Sequence, residues 1–258
     1  DGLGLPRPEF AHISMILGAD KTRLSKRHGA TSVLAYRDMG YLPDALINYL
    51  ARLGWSHGDQ EIFTQKEMTQ HFSLENITTS AAVFNPEKLQ WLNQQYIQNT
   101  SPLKLAIHLE SFLIKEGILS EKHGLSKEEI AKPIPSLNKR AQTLVEMAQK
   151  SAFYFKKELT FDEKARDKFL NKDAKPHIEK IITAINDMSE LEHDSLENLF
   201  KKIAADAEIK LGKLAQPVRI ALTGSTASPG IYEVILLLGK TITLKRLDDA
   251  LSFIKKKR

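Results

Sequence analysis

The stretch Leu42-Pro-Asp-Ala-Leu-Ile-Asn-Tyr-Leu-Ala-Arg-Leu-Gly54 decides the fold class of this chain. Its apolar side chains recur at positions 42, 46, 49, 50 and 53, the spacing that places them on one face of an α-helix. Pro43 stands where the first turn of a helix tolerates proline, and Gly54 stands where helices commonly end. The stretch therefore predicts an amphipathic helix between these two residues.

The same start signals recur along the whole chain. They are a capping residue followed by proline, a Ser or Thr with Glu three positions later, or a single capping aspartate. Such starts stand at Thr64 with Glu67, Asn85-Pro86, Ser101-Pro102, Ser126 with Glu129, Asp194 and Ser228-Pro229. Gly212 and Gly239 are expected helix ends. Alternating patterns are scarce, with at most a short strand between His12 and Leu17, so we predict an all-α, mainly helical protein.

Composition narrows the class of protein. A chain of 258 residues with 42% hydrophobic and 27% charged residues is typical of a soluble globular protein. It has no cysteine, which excludes disulfides and Cys-ligated zinc and fits a reducing cytosol. No apolar run approaches the roughly 18 residues of a membrane span. We expect a cytoplasmic monomer without a membrane partner, and the net charge of +5 suits a polyanion without requiring one.

A basic segment, Asp20-Lys-Thr-Arg-Leu-Ser-Lys-Arg-His-Gly29, places four cations within seven positions. A loop of this kind can fold over a triphosphate and neutralise the charge that builds up as pyrophosphate leaves. The residues alone also fit a solvent-exposed loop that binds nothing.

Arg23-Leu-Ser-Lys-Arg27 resembles the Lys-Met-Ser-Lys-Ser signature of class I aminoacyl-tRNA synthetases. The longer match over residues 24–30, and the stretches 36–50, 53–59 and 84–93, are similar to bacterial glutamyl-tRNA synthetases, and the likeness continues with gaps to Phe253. That family activates glutamate with ATP and joins it to the 3′ end of tRNA-Glu. The resemblance implies an ATP contact by the signature residues, with its second lysine foremost. Those residues are Arg23, Leu24, Ser25, Lys26 and Arg27.

The other half of the family's active site is missing from the sequence. No His-Ile-Gly-His-like motif occurs, and no Gly-rich turn joins a strand to a helix. The chain also opens at Asp1 without methionine, so we expect it to start inside a larger protein. The resemblance then places the Rossmann half, with most contacts to ATP, Mg²⁺ and glutamate, upstream of Asp1. This piece alone is expected to be inactive.

The resemblance also implies three regions. Residues 1–31 would end the catalytic domain and carry the ATP loop, 32–100 would form a helical stem-contact domain, and 101–258 would form an all-helical anticodon-binding domain with a subdomain break near 211–216. Arg37, Arg52 and Lys88 are candidates for phosphate contacts, although each also fits a plain surface cation. Trp55 and Trp91 are expected to serve packing rather than base stacking.

Two segments carry the expected anticodon contacts. Residues 137–148 resemble a family helix whose basic residues face the anticodon, and Arg140 is the candidate reader because a guanidinium can donate two bonds to one base edge. Residues 217–224 and 228–234 resemble the paired segments that hold the anticodon. There we expect Arg219 to offer a charge, Ser228 and Pro229 to open a helix with outward N–H groups, Ile231 to give an apolar contact and Tyr232 to stack on a base. Tyr232 also fits an ordinary core position.

Two alternatives use the same residues differently. The chain could be a stand-alone RNA-binding module, or a helical scaffold for protein partners whose basic surface is incidental. The pattern near Arg140, with Asn138 and Gln142, leaves open whether tRNA-Gln is a partner beside tRNA-Glu. The eight histidines show no metal-ligand spacing beside carboxylates, so we expect no metal site.

Overall fold

A computed structural model describes residues 2, 4–6, 10–25, 27 and 32–256. The chain divides into two compact units. The first contains Asp1–Ser101 and Ala141–Glu146, and the second contains Pro102–Arg140 and Met147–Arg258. Among the described residues, no helix combines the length and the apolar character that crossing a bilayer demands.

The first unit is helical with one minimal sheet. Strand β1, Ile16–Leu17, pairs in parallel with β2, Ala82–Val83, which confirms the short strand expected before residue 18. The helices are α1 Val33–Asp38, α2 Pro43–Arg52, α3 Gln65–His71 and α4 Pro86–Asn99, with a 3₁₀ turn at Leu74–Asn76. The helix predicted after Leu42 is therefore confirmed. Thr64 and Glu67 form the predicted capping box, and Asn85 caps α4 through the Lys88 amide.

Two buried amides hold the helices of the first unit together. The Asn48 side chain, fully buried on α2, donates to the Glu61 carbonyl at 2.9 Å and accepts from the Phe63 amide at 2.7 Å. The Asn93 amide oxygen on α4 accepts from the Leu42 amide at 2.8 Å, and its nitrogen donates to the Gln142 carbonyl at 2.6 Å. The polar atoms of these two buried amides are thus paired, which avoids the cost of leaving them unsatisfied.

The second unit contains the remaining helices. They are α5 Pro102–Lys115, α6 Lys127–Ala131, α7 Ile134–Leu137, α8 Leu144–Phe155, which begins in the first unit, α9 Glu163–Phe169, α10 Lys175–Asp187, α11 His193–Asp206, α12 Leu211–Thr223 and α13 Ile231–Lys256. One apolar core runs from Phe153 to Ile254, with Phe200 and Val218 among its fully buried members. Helix α13 bends at Gly239, whose φ of 73° and ψ of 169° are not helical. The predicted helix end at Gly239 corresponds to this kink.

Three predicted boundaries differ from the structure. Helix α11 begins at His193, so Asp194, predicted as the residue that caps this helix, lies in its first turn. Helix α11 ends at Asp206 rather than near Gly212, because Glu208 takes a left-handed φ of 52° and reverses the chain. Residues 211–216, where we expected a subdomain break, lie inside α12, so the break itself stays a prediction. The last long helix begins at Ile231 and not at Pro229, and the Glu233 carboxylate accepts from the Gly230 amide just before this start.

Candidate nucleic-acid interface

The basic segment begins as a tight turn directly after β1. The Gly18 carbonyl accepts from the Lys21 amide at 2.9 Å, and the Gly18 amide donates to the Thr22 carbonyl at 2.8 Å. Lys21 takes a left-handed φ of 59° to close this turn. The Asp20 carboxylate braces it by accepting from the Thr22 amide at 3.0 Å and from the Thr22 hydroxyl at 2.8 Å. The single acid of the segment is therefore used inside the turn.

The signature residues follow this turn, and their two arginines are exposed. Arg23 is exposed and its backbone bridges to Leu17, while Leu24 is half-buried against the apolar cluster around Tyr49 and Phe84. Ser25 is also half-buried, and the Arg27 guanidinium donates to the Thr22 hydroxyl at 3.1 Å. Lys26 lies outside the described residues. The loop is thus anchored by Leu24, and its arginines remain at the surface.

The residues of the first unit that were expected to contact phosphate differ in exposure and in their ion pairs. Arg37 is exposed and pairs with the neighbouring Asp38 at 3.2 Å. Arg52 is mostly buried and binds the Glu61 carboxylate at 3.1 Å and the Trp55 carbonyl at 3.3 Å, and Lys88 reaches the same carboxylate at 3.0 Å. The Arg52 guanidinium is held by this internal ion pair, and the RNA contact expected of it stays a prediction.

The two tryptophans also separate. Trp55 is 2% exposed and packs between Phe63, Phe72 and the stacked His57, as expected for a core residue. Trp91 on α4 is 42% exposed and is thus not a core residue of the first unit, and the packing between domains that was also expected for it stays a prediction.

In the second unit, Arg219 is directed at the loop that precedes α13. Its Nη1 donates to the Ser228 hydroxyl, to the Pro229 carbonyl at 2.6 Å and to the Ser228 carbonyl at 3.4 Å. One turn later on α12, the Thr223 hydroxyl donates to the Arg219 carbonyl at 2.8 Å and accepts from the Ser225 amide at 3.3 Å. The two segments that the sequence paired are thus in direct contact.

Arg140 lies beside this loop. Together with Leu137, Lys150, Ala227, Ser228 and Pro229 it lines a cavity of about 250 Å³. The Lys150 ammonium donates to the Arg140 carbonyl. Burial, followed by the nearby charge of Arg140, lowers the pKa of Arg219. We call Arg140, Lys150, Arg219, Ser228 and Pro229 the cationic cradle. Four of these residues line the cavity, to which no described carboxylate contributes, and Arg219 joins them through its hydrogen bonds to Ser228 and Pro229.

Two expected contacts fall outside the cradle. The Ile231 side chain is 6% exposed and belongs to the apolar core, and the apolar RNA contact expected of it stays a prediction. The Tyr232 ring meets Phe200 and His193 edge-on, each with centroids 5.3 Å apart, and burial raises its pKa. Tyr232 therefore contributes to packing at the edge of the core, and its stacking role stays a prediction.

Sequence reasoning missed two residues of this site. Lys150 lies on α8, ten positions after Arg140, and Thr223 ends α12. No motif marks either residue, although Thr223 directly precedes Gly224, a residue type that commonly ends helices.

Among the described residues, one group could be considered for a metal ion. His193, Asp194 and Glu197 bring potential ligand atoms within 4.8 Å of one another. They lie in the first turn of α11, where the helix dipole disfavours a cation, and Glu197 already pairs with Lys201 at 2.9 Å. The geometry therefore gives no support for a metal there.

Two parts of the chain each match the model of a known protein family. Residues 104–251 match the family described as "Anticodon binding domain". Residues 1–91 match the family described as "tRNA synthetases class I (E and Q), catalytic domain".

Individual relatives extend this likeness over almost the whole chain. A glutamate–tRNA ligase of Syntrophobacter fumaroxidans is 52% identical over 252 residues, which are 98% of this chain and 53% of that protein. One of Geobacter sulfurreducens is 48% identical over 255 residues, 99% of this chain and 54% of that protein. The solved structure of a glutamate tRNA ligase from Elizabethkingia meningosepticum in complex with its amino acid matches with a TM-score of 0.79 at 29% identity, over 98% of this chain and 53% of that one. The chain spans about half the length of the relatives that it matches.

Proposed function

This chain belongs to the family of anticodon-binding domains, and from that premise we propose that it is the RNA-reading portion of a glutamate–tRNA ligase. In this proposal the whole enzyme activates glutamate with ATP and transfers it to the 3′ end of tRNA-Glu. Residues 101–258 hold the anticodon loop, residues 32–100 lie along the stem, and the loop after β1 supplies ATP contacts.

The cationic cradle is the observation that carries this proposal. Arg140 and Arg219 stand far apart in the sequence but meet at the Ser228-Pro229 loop. Arg140 lines one cavity with Lys150 and this loop, and Arg219 donates to the same loop and lies near the charge of Arg140. Cations that lie close together in a partly desolvated site increase the free-energy cost of keeping each one charged, and a bound polyanion lowers that cost. The cavity beside the cradle shares two lining residues, Lys150 and Ala227, with a larger cavity of about 560 Å³. Phe153 and Leu159 also line this larger cavity. An unstacked base would find apolar wall and hydrogen-bonding groups next to a place for its phosphate.

At the other end of the chain, the loop geometry supports the ATP role. The turn at Gly18 and the half-buried Leu24 fix the base of the loop, so Arg23 and Arg27 project from an anchored start. A cationic loop on a fixed hinge can close over phosphates without reorganising the domain beneath it. Lys26 and the Mg²⁺ that accompanies ATP belong to the proposal through the resemblance alone.

The test measures binding of tRNA-Glu by fluorescence anisotropy, with Arg219→Ala and Arg140→Ala against wild type. We expect each variant to weaken binding about 10-fold to 100-fold, the usual worth of a charged RNA contact. Lys180→Ala removes an exposed cation from α10 and serves as the matched control, for which we expect less than about a twofold change. Wild-type affinity should also fall steeply with added salt.

The outcomes separate the alternatives. Salt-independent association would exclude phosphate contact and favour a scaffold for protein partners. Equal losses for Arg219→Ala and Lys180→Ala would mean that charge acts without a defined site. Parallel titrations with tRNA-Gln show whether the cradle accepts both transfer RNAs.

A further inference from the structure

Arg246 is a buried cation that the proposed interface does not use. It lies on α13, is 7% exposed, and no carboxylate of the described residues forms an ion pair with it. Its Nη1 donates to the Leu222 carbonyl at 2.7 Å and its Nη2 donates to the Lys156 carbonyl at 2.9 Å. Burial lowers the pKa of Arg246, which shows that its charge is held against a solvation cost.

Both acceptors lie at helix C-termini. Leu222 is in the last turn of α12, and Lys156 directly follows the end of α8 at Phe155. Carbonyls at these positions have no partner within their own helix, and the helix dipole places partial negative charge there. One planar guanidinium therefore joins two helix ends, and its positive charge interacts favourably with the partial negative charge at both.

The helix ends that Arg246 joins are those that carry the cradle. Arg219 stands one turn before the end of α12, and Lys150 lies on α8. Beyond α8, the Asp162 amide donates to the Gly224 carbonyl at 3.0 Å, so the segment after Lys156 is tied to the loop after α12. A shift of the α12 end would move Arg219 relative to Ser228 and Pro229, and a shift of the α8 end would move the helix that carries Lys150.

We infer that Arg246 is a positioning residue for RNA binding: it sets the distance between α8 and α12, and through them the geometry of Arg219 in the cradle. This inference rests on the proposed function. It predicts that Arg246 acts on RNA only through Arg219 and its neighbours, without touching the nucleic acid.

The experiment is a double-mutant cycle for tRNA-Glu binding between Arg246→Lys and Arg219→Ala. Lysine keeps the charge, but one ammonium cannot span both carbonyls with the geometry of a guanidinium. We expect Arg246→Lys to weaken binding about tenfold in the wild-type background and less than about twofold in the Arg219→Ala background, because coupled residues give non-additive effects.

Two controls distinguish an effect on the cradle from a general loss of structure. Arg166→Met changes another arginine that contacts α13, through the Phe253 ring at 4.6 Å, but its described side-chain contacts are with the Phe253 and Asp167 side chains and not with the carbonyls of α8 or α12. It should change affinity less than about twofold. Amide hydrogen exchange checks that Arg246→Lys is folded: the Asp162 and Gly224 amides should lose protection, while those of Val234 and Ile235 keep theirs.

Equal losses in both backgrounds would overturn the inference, as would full affinity in a folded Arg246→Lys protein. If Arg246→Lys does not fold, Arg246→Met is measured in the same cycle at low temperature, with the same two criteria. If Arg219→Ala itself leaves tRNA binding unchanged, the proposed function fails. The exchange of Asp162 and Gly224 then still decides whether Arg246 holds the two helix ends.

Discussion

At the scale of single residues, the buried polar groups of the first unit work as a connected set. The Tyr96 hydroxyl has one proton and two acceptors within reach, the Asn48 amide oxygen at 2.8 Å and the Phe63 carbonyl. The same Asn48 oxygen also accepts from the Phe63 amide. Helix α2, helix α4 and the chain before α3 therefore meet at one tyrosine oxygen. Such a network is stable only while every member keeps its proton.

Tyr96 gives a pH-dependent prediction. Burial, followed by the Asp44 carboxylate, raises the pKa of Tyr96 to about 12, whereas an unfolded tyrosine ionises near pH 10. The folded state thus favours the neutral hydroxyl, and its contribution to stability is complete below about pH 10 and lost as pH rises toward 12. Tyr96→Phe should lower the free energy of unfolding by about 1–2 kcal/mol at pH 8.

Urea unfolding of wild type and Tyr96→Phe at pH 8 and at pH 11 checks this. The difference between the two proteins should shrink at the higher pH. A difference that stays constant would show that the Tyr96 hydroxyl does not titrate as its burial requires.

Residue types were readable from the sequence, but their partners were not. The pattern marked Arg52 as a cation on a helix, yet nothing in it showed that Glu61, nine residues later, would occupy that guanidinium. Arg219 and Ser228 were paired through resemblance, while Lys150 was missed because its role depends on tertiary placement beside the Arg140 carbonyl. Partners set by folding in three dimensions leave no local signal.

At the scale of elements, helix starts followed local chemistry wherever the capping contact is local. The capping boxes at Thr64 and Ser126 form as expected because both partners lie within four residues. The start near Ser228 shifted to Ile231 because Arg219, from another helix, holds the Ser228 and Pro229 carbonyls outside the helix. A tertiary contact thus overrides the capping signal at the one start that belongs to the cradle.

Two glycines of α12, one near its start and one at its C-terminal end, should respond to alanine substitution in opposite ways. Gly224 has a left-handed φ of 74°, and a Cβ there would lie 2.2 Å from the Thr160 carbonyl oxygen. Gly224→Ala should therefore cost at least about 2 kcal/mol of unfolding free energy, from backbone strain and the displaced chain. Gly212 lies inside α12 with nothing within 4 Å of such a Cβ, so Gly212→Ala should stabilise by about 0.5 kcal/mol.

Thermal unfolding of both variants measures these changes in stability. Titration with tRNA-Glu measures whether the same substitutions also change RNA affinity. Gly224→Ala should also weaken RNA binding, because its loop carries Ser228 and Pro229, whereas Gly212→Ala should not. Equal melting temperatures for the two variants would contradict the close approach at Thr160.

At the scale of the whole molecule, α13 unites the second unit by supplying cations to other helices. Lys240, directly after the kink at Gly239, donates to the Asn186 carbonyl at 2.7 Å and the Met188 carbonyl at 2.8 Å at the end of α10. Arg246 does the same for α8 and α12. Three helix C-termini are thus neutralised by one helix, which explains why two long cations lie against the core of a protein that carries excess positive charge.

The two basic regions of the chain are proposed to serve different chemistry, and variants should separate them. In the full-length enzyme, Lys26→Ala removes a cation from the ATP loop, so ATP–pyrophosphate exchange at saturating tRNA-Glu should fall by about 10²-fold or more while tRNA affinity stays within about twofold. Arg219→Ala should show the reverse, a weaker tRNA affinity with nearly full exchange once tRNA saturates. If Lys26→Ala lowered both quantities equally, the loop would be part of the RNA surface, and the assignment of ATP to it would be wrong.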